Sequence, residues 1–60
     1  MTYKEAKKNV NIGSKVRIKG SKDIHTVTGF SEVRNGLQSP FIRIMLDNGE
    51  QTYHAKVILV

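Results

Sequence analysis

Three cations stand two residues apart in the run Lys15-Val16-Arg17-Ile18-Lys19. In an extended strand successive side chains alternate between faces, so Lys15, Arg17 and Lys19 line one side at intervals of roughly 6 to 7 Å. That interval is close to the phosphate repeat of an extended single strand, and the chemistry it offers is charge contact with a polyanion. A solvated face made soluble by charge uses the same pattern, so the row alone supports both readings. Arg43 and His54 form a second group, because the pairing derived below makes them cross-strand neighbours with Thr28 beside them. Together with Phe30 and Phe41 they place a cation beside aromatic rings, the composition of a base-stacking platform. Two competing accounts use the same residues. The N-terminal helix covers Phe30 and Phe41 with Tyr3 and Ala6, or Phe30, Phe41 and Met45 dock a protein through a partly apolar face with a polar rim.

The other reactive residue types do not assemble into a catalytic site. The two histidines, His25 and His54, stand far apart in a chain without cysteine, and the five carboxylates are scattered. No Gly-rich phosphate loop, nucleophile with a base, or paired acid and base carboxylates can be built from sequence neighbours. Asp47-Asn48-Gly49-Glu50 lacks the ligand series of a calcium loop and reads as a turn. His25 reads as a partly buried structural residue. The expectation is a non-enzymatic protein with no cofactor and no metal.

The element that must position the outer residues is Phe41-Ile42-Arg43-Ile44-Met45-Leu46. Its alternation sets Ile42, Ile44 and Leu46 on one side and Phe41, Arg43 and Met45 on the other, the period of a half-buried strand. Asn35-Gly36 precedes it and Asn48-Gly49 follows it, and Asn-Gly is a strong hairpin signal because a type I′ turn needs two positive φ angles. A two-residue Asn35-Gly36 loop sets Phe30 opposite Phe41, Gly29 opposite Ile42, Val27 opposite Ile44 and His25 opposite Leu46. A two-residue Asn48-Gly49 loop sets Ile44 opposite Tyr53, Arg43 opposite His54 and Ile42 opposite Ala55. Both turns choose the same inner face for the shared strand, with Tyr53 in the core. Pro40, preceded by Ser39, removes an amide donor beside Phe41, so the sequence also allows residues 31–39 to form a longer loop.

The rest of the chain follows in order. Thr2-Tyr3-Lys4-Glu5 fits a capping box, which predicts a short helix from Tyr3 to Asn9. Ile12-Gly13-Ser14 turns into the basic strand, whose Val16 and Ile18 point inward. Residues 20–23 turn again, and Ile24 to Phe30 returns as a second strand with Gly29 allowing a bend or bulge. Glu50 to His54 makes a fourth strand, Ala55-Lys56 a short turn, and Val57-Ile58-Leu59-Val60 a last strand. The expected fold is mainly β: a small five-stranded barrel over residues 12–60 behind an N-terminal helical arm over residues 1–11. Closing a barrel hides the edges that a flat sheet exposes.

Ten Lys plus Arg against five Asp plus Glu give a formal net charge of +5, a field that favours polyanions. Sixty residues make one small domain, too small for a deep cleft of its own. The chain carries neither an apolar run of about 20 residues nor the apolar core of a signal peptide. It reads as soluble and cytoplasmic, a monomer or weak homodimer.

The run from Ile12 to Gly20 is similar to the opening strand of the Src-homology-type small barrels, especially the bacterial and phage versions related to KOW and Tudor-like domains. Thr26 to Phe30, Ile44 to Gly49 and Val57 to Leu59 continue the resemblance, which covers residues 12–60. It implies an SH3-like barrel whose partners range from RNA and DNA to peptides and other proteins, and fold alone does not choose among them. The short, Lys-rich style also resembles small proteins of phages and mobile elements. Two functions are therefore expected. One is a nucleic-acid-binding module using Lys15, Arg17, Lys19, Arg43 and His54; the other is a protein-interaction module, such as a phage modulator of a host protein, using Phe30, Phe41 and Met45.

Overall fold

The capping box at the N-terminus forms as the sequence predicts. In the computed structural model, which describes residues 1–34 and 36–60, helix α1 spans Tyr3–Asn9. The Glu5 amide donates to Thr2 Oγ1 and the Thr2 amide to Glu5 Oε1, each at 3.2 Å. The bond from the Thr2 backbone also holds the Glu5 carboxyl below its ordinary value. A helix of two turns does not persist alone in water. Here it is held by burial of Ala6 and of its C-cap Val10 in the core.

Five strands follow: β1 Lys15–Ile18, β2 Ile24–Val33, β3 Phe41–Leu46, β4 Gln51–Tyr53 and β5 Val57–Leu59, with a 3₁₀ turn at His54–Lys56 between the last two. They form one antiparallel sheet in the order β4-β3-β2-β1-β5. The fold is thus mainly β, with five strands and one short helix. The ladder stays open, with β4 and β5 at its two ends, so the closed barrel expected from the sequence is not formed by strand pairing.

The alternation in β3 sorts as its sequence requires. Ile42, Ile44 and Leu46 are buried, while Arg43 and Met45 are exposed. The buried set joins Val16, Val27, Val57, Ala6 and Val10 in one core, against which Met1, Tyr3 and Ile18 pack from the sides. Val33 and Phe41 pair at the loop end of the β2–β3 hairpin.

Both expected registers are corrected. Asn35 lies outside the described residues, but the ladder on either side of it pairs Val33 with Phe41, Ser31 with Arg43 and Phe30 with Ile44. Phe30 therefore does not face Phe41. Pro40 has no amide to donate and restricts Ser39 to extended backbone, so on this side the ladder begins only at Phe41. A bulge between Val27 and Gly29 then absorbs one residue, so that Val27 before it and Phe30 after it share the inner face. The bulge falls where Gly29 had suggested one.

The second turn is longer by one residue than expected. The Leu46 amide donates to the Glu50 carbonyl at 2.9 Å and the Gly49 amide to the Leu46 carbonyl at 3.0 Å. With Gly49 at φ +85°, this is a three-residue loop: a turn closed by a glycine in the left-handed region. Arg43 consequently pairs with Tyr53, and Ile44 with Thr52. A slip of one residue sends every side chain to the opposite face. Tyr53 turns outward and Thr52 takes the place beside Ile44.

Candidate nucleic-acid interface

The corrected register decides which aromatic rings reach the outer face. Tyr53 is 39% exposed and Met45 37%, and Arg43 lies cross-strand from Tyr53. Phe41 meets the Tyr53 ring edge to face, with centroids 6.2 Å apart at 76°. A shallow cleft of about 200 Å³ is lined by these two rings. The Lys56 ammonium lies 5.7 Å from the Tyr53 centroid, over the ring. A cation on an exposed ring contributes about 0.5–1 kcal/mol, whereas a stacked base contributes about 1–3 kcal/mol. A base can therefore displace Lys56 and leave its ammonium free for a phosphate.

Phe30 is absent from this group. It is on the inner face with Ile44, at the end of β2 that α1 approaches, where Ala6, Lys7, Phe30, Glu32 and Ile42 line a groove. A Lys7–Glu32 ion pair of 3.6 Å spans the two elements. Helix α1 thus packs on the Phe30 side of the sheet, and the Phe41 side stays open. The expected docking face of Phe30, Phe41 and Met45 is divided between two sides of the sheet.

His54 is also placed differently from the expectation. Along the β3–β4 ladder, hydrogen-bonded pairs recur at every second residue, and after Leu46/Glu50 and Ile44/Thr52 the next is Ile42/His54. At that point the chain enters the 3₁₀ turn, and the Ile42 amide donates at 3.2 Å to His54 Nδ1. The His54 carbonyl accepts instead from the Met1 ammonium at 3.0 Å, as the Val57 carbonyl does at 2.8 Å. Burial, and secondarily the nearby ammonium, push the His54 pKa below its ordinary value. The neutral imidazole stands edge-on to Tyr53 and Tyr3, with centroids 5.8 and 5.9 Å away. His54 is a support beneath Tyr53 and not a neighbour of Arg43 in the outer row.

The basic row is only partly a strand feature, because β1 ends at Ile18 and Lys19 lies in the turn that follows. Lys15 and Arg17 flank buried Val16, and Lys19 follows the end of β1. Lys15 donates to Thr26 Oγ1, and Arg17 donates to the Ser21 carbonyl at 3.3 Å. The Lys19 amide donates to the Lys56 carbonyl at 2.9 Å, so the row on β1 meets the 3₁₀ turn at Lys56. Sequence reasoning missed Lys56 and the outward Tyr53. By sequence Lys56 belongs to a linking turn, and its three-residue separation from Tyr53 is the available signal.

Three of the five carboxylates are engaged elsewhere. Glu5 caps α1, and Glu32 pairs with Lys7 and with Arg34. Asp47 Oδ1 lies 3.1 Å from His25 Nδ1, and its Oδ2 accepts from the Thr26 amide at 3.2 Å. These partners, His25 first, hold the Asp47 carboxyl below its ordinary value. His25 is thereby tied into the β2–β3 junction, half-buried, as a structural residue. Among the described residues the salt bridges are Lys7–Glu32, His25–Asp47 and Arg34–Glu32. Arg17, Lys19, Arg43 and Lys56 enter none of them.

No three His, Asp or Glu side chains among the described residues are grouped to hold a metal ion, and no helix there is long and apolar enough to cross a membrane. Compared with known proteins, the chain matches no family model, no curated protein and no solved structure.

Proposed function

We propose that this protein is a non-enzymatic nucleic-acid-binding module of the SH3-like small-barrel type, acting in the cytoplasm. The strand order, with β5 returning beside β1 after a 3₁₀ turn, supports the barrel assignment. The observation that carries the function is the set of cations outside the ion pairs of the described residues: Lys15 and Arg17 on β1, Lys19 in the turn after it, Lys56 joined to Lys19 by a backbone hydrogen bond, and Arg43 across the strand from Tyr53. A net charge of +5 adds a field that steers a polyanion toward them. The alternative, docking of a host protein, has lost Phe30 from its face and keeps Phe41 and Met45.

Retention on single- and double-stranded DNA and RNA, measured between low and moderate salt, tests the proposal. Affinity is expected to fall linearly on a log–log plot, and replacing Lys15, Arg17 and Lys19 together with Ala is expected to flatten the slope by about two to three units. Absent retention, or retention indifferent to salt, overturns it.

A further inference from the structure

The outer face carries two features that a duplex would not use together. One is a file of cations and the other a pair of rings, and Lys56 connects them. The Arg17-to-Lys19 segment meets Lys56 through the Lys19 amide, and the Lys56 ammonium lies over the Tyr53 ring. Tyr53 meets Phe41 edge to face, and Arg43 stands cross-strand beside Tyr53. Lys56 over Tyr53, the Tyr53–Phe41 pair and Arg43 beside Tyr53 thus make one cluster of two cations and two rings, which the Lys19 backbone joins to the end of β1. Bases in a duplex are stacked on one another and show only their edges in the grooves. An unpaired strand offers both a phosphate file and free base faces, and rings accept those faces with little regard to sequence.

Resting on the nucleic-acid reading above, we infer that the ligand is single-stranded. At least one base stacks on Tyr53 or in the cleft it forms with Phe41, and Lys56 moves from the ring to a phosphate. Arg17 and Lys19 continue the phosphate contacts on one side, and Arg43 supplies one on the other. His54 is a positioning residue that holds the Tyr53 ring from beneath. The charge pattern favours this occupant over a peptide, because the exposed groups around the cleft are cations without acidic partners.

Fluorescence anisotropy with a labelled mixed-sequence oligonucleotide, single-stranded and as its duplex, tests the inference. The single strand is expected to bind more tightly at the same salt. Tyr53→Leu, which keeps apolar bulk but removes the ring, should weaken single-strand binding about 5- to 150-fold, the range of one stack, with the salt slope unchanged. Tyr53→Phe should restore it. Lys56→Ala should reduce the slope by about 0.7. Equal binding of duplex and single strand, or wild-type affinity in Tyr53→Leu, overturns the single-strand inference while leaving nucleic-acid binding intact. Binding of neither form overturns both, and capture of an acidic peptide at the same cleft in that case assigns the face to a protein.

Discussion

Two glycines in this chain should respond to alanine with opposite signs. Gly49 closes the β3–β4 turn at φ +85°, and a Cβ there meets nothing within 4 Å. The cost is therefore one of backbone and not of crowding, about 1–2 kcal/mol for an L-residue in the left-handed region. Alanine also lowers the entropy of the unfolded chain, which offsets about 0.4–1 kcal/mol. A net loss of about 1 kcal/mol follows, or about 4–8 °C in Tm for a domain of this size. Gly29 is the reverse case. Its φ is not positive, and a Cβ would lie 2.8 Å from Met45 Cε and 4.0 Å from Met45 Sδ. The obstacle is the tip of a flexible, exposed side chain, which can rotate away, so Gly29→Ala should be neutral or stabilising by up to about 1 kcal/mol. Urea unfolding of both variants, followed by circular dichroism and fitted with a common slope, measures the difference. If Gly29→Ala falls as far as Gly49→Ala, the β2 bulge needs glycine and the placement of Met45 is wrong.

Other predictions concern the core and the half-buried imidazole of His54. Ile44 has no exposed surface, so Ile44→Ala should cost about 2–5 kcal/mol, enough to leave a chain this small largely unfolded by circular dichroism at room temperature. The His54 pKa is depressed in the folded state from an ordinary 6.5, so its contribution to stability is fully present above about 6.5 and lost as pH falls through the folded value. Urea midpoints taken at about pH 7.5 and 5.5 should therefore decline for the wild type. They should decline less for His54→Gln, and equal declines would refute the role given to the ring.

What the sequence made legible is what parity controls. Ile42, Ile44 and Leu46 could only be buried together, and that placed Arg43 and Met45 outside whatever the neighbouring strands did. The capping box was similarly local, since Thr2 and Glu5 bond to each other's backbone. The site was less legible because it depends on turn length. Asn48-Gly49 supports a two-residue or a three-residue loop equally well by residue type, and the choice decides whether Tyr53 or its neighbour faces Ile44. The first hairpin failed for a different reason. Pro40 outweighed Asn35-Gly36, and a bulge moved the parity of β2, so Phe30 and Phe41 separated.

These two corrections act in the same direction. The slip at Gly49 removes Tyr53 from the core and sets it beside Phe41, while the shift in β2 removes Phe30 from that face and gives it to the side where α1 packs. The helix buries Ala6 and Val10 and so uses the inner side of the sheet, which leaves no helix over the outer side among the described residues. The 3₁₀ turn then matters for more than connection. It ends the β4 pairing at Tyr53, lets the His54 ring take the ladder bond of Ile42, and sets Lys56 where it touches both the ring and the end of the β1 row. Tyr53 thereby stands on the outer side, 39% exposed. Its exposure beside Arg43 and Lys56 is the reason to look for a ligand there.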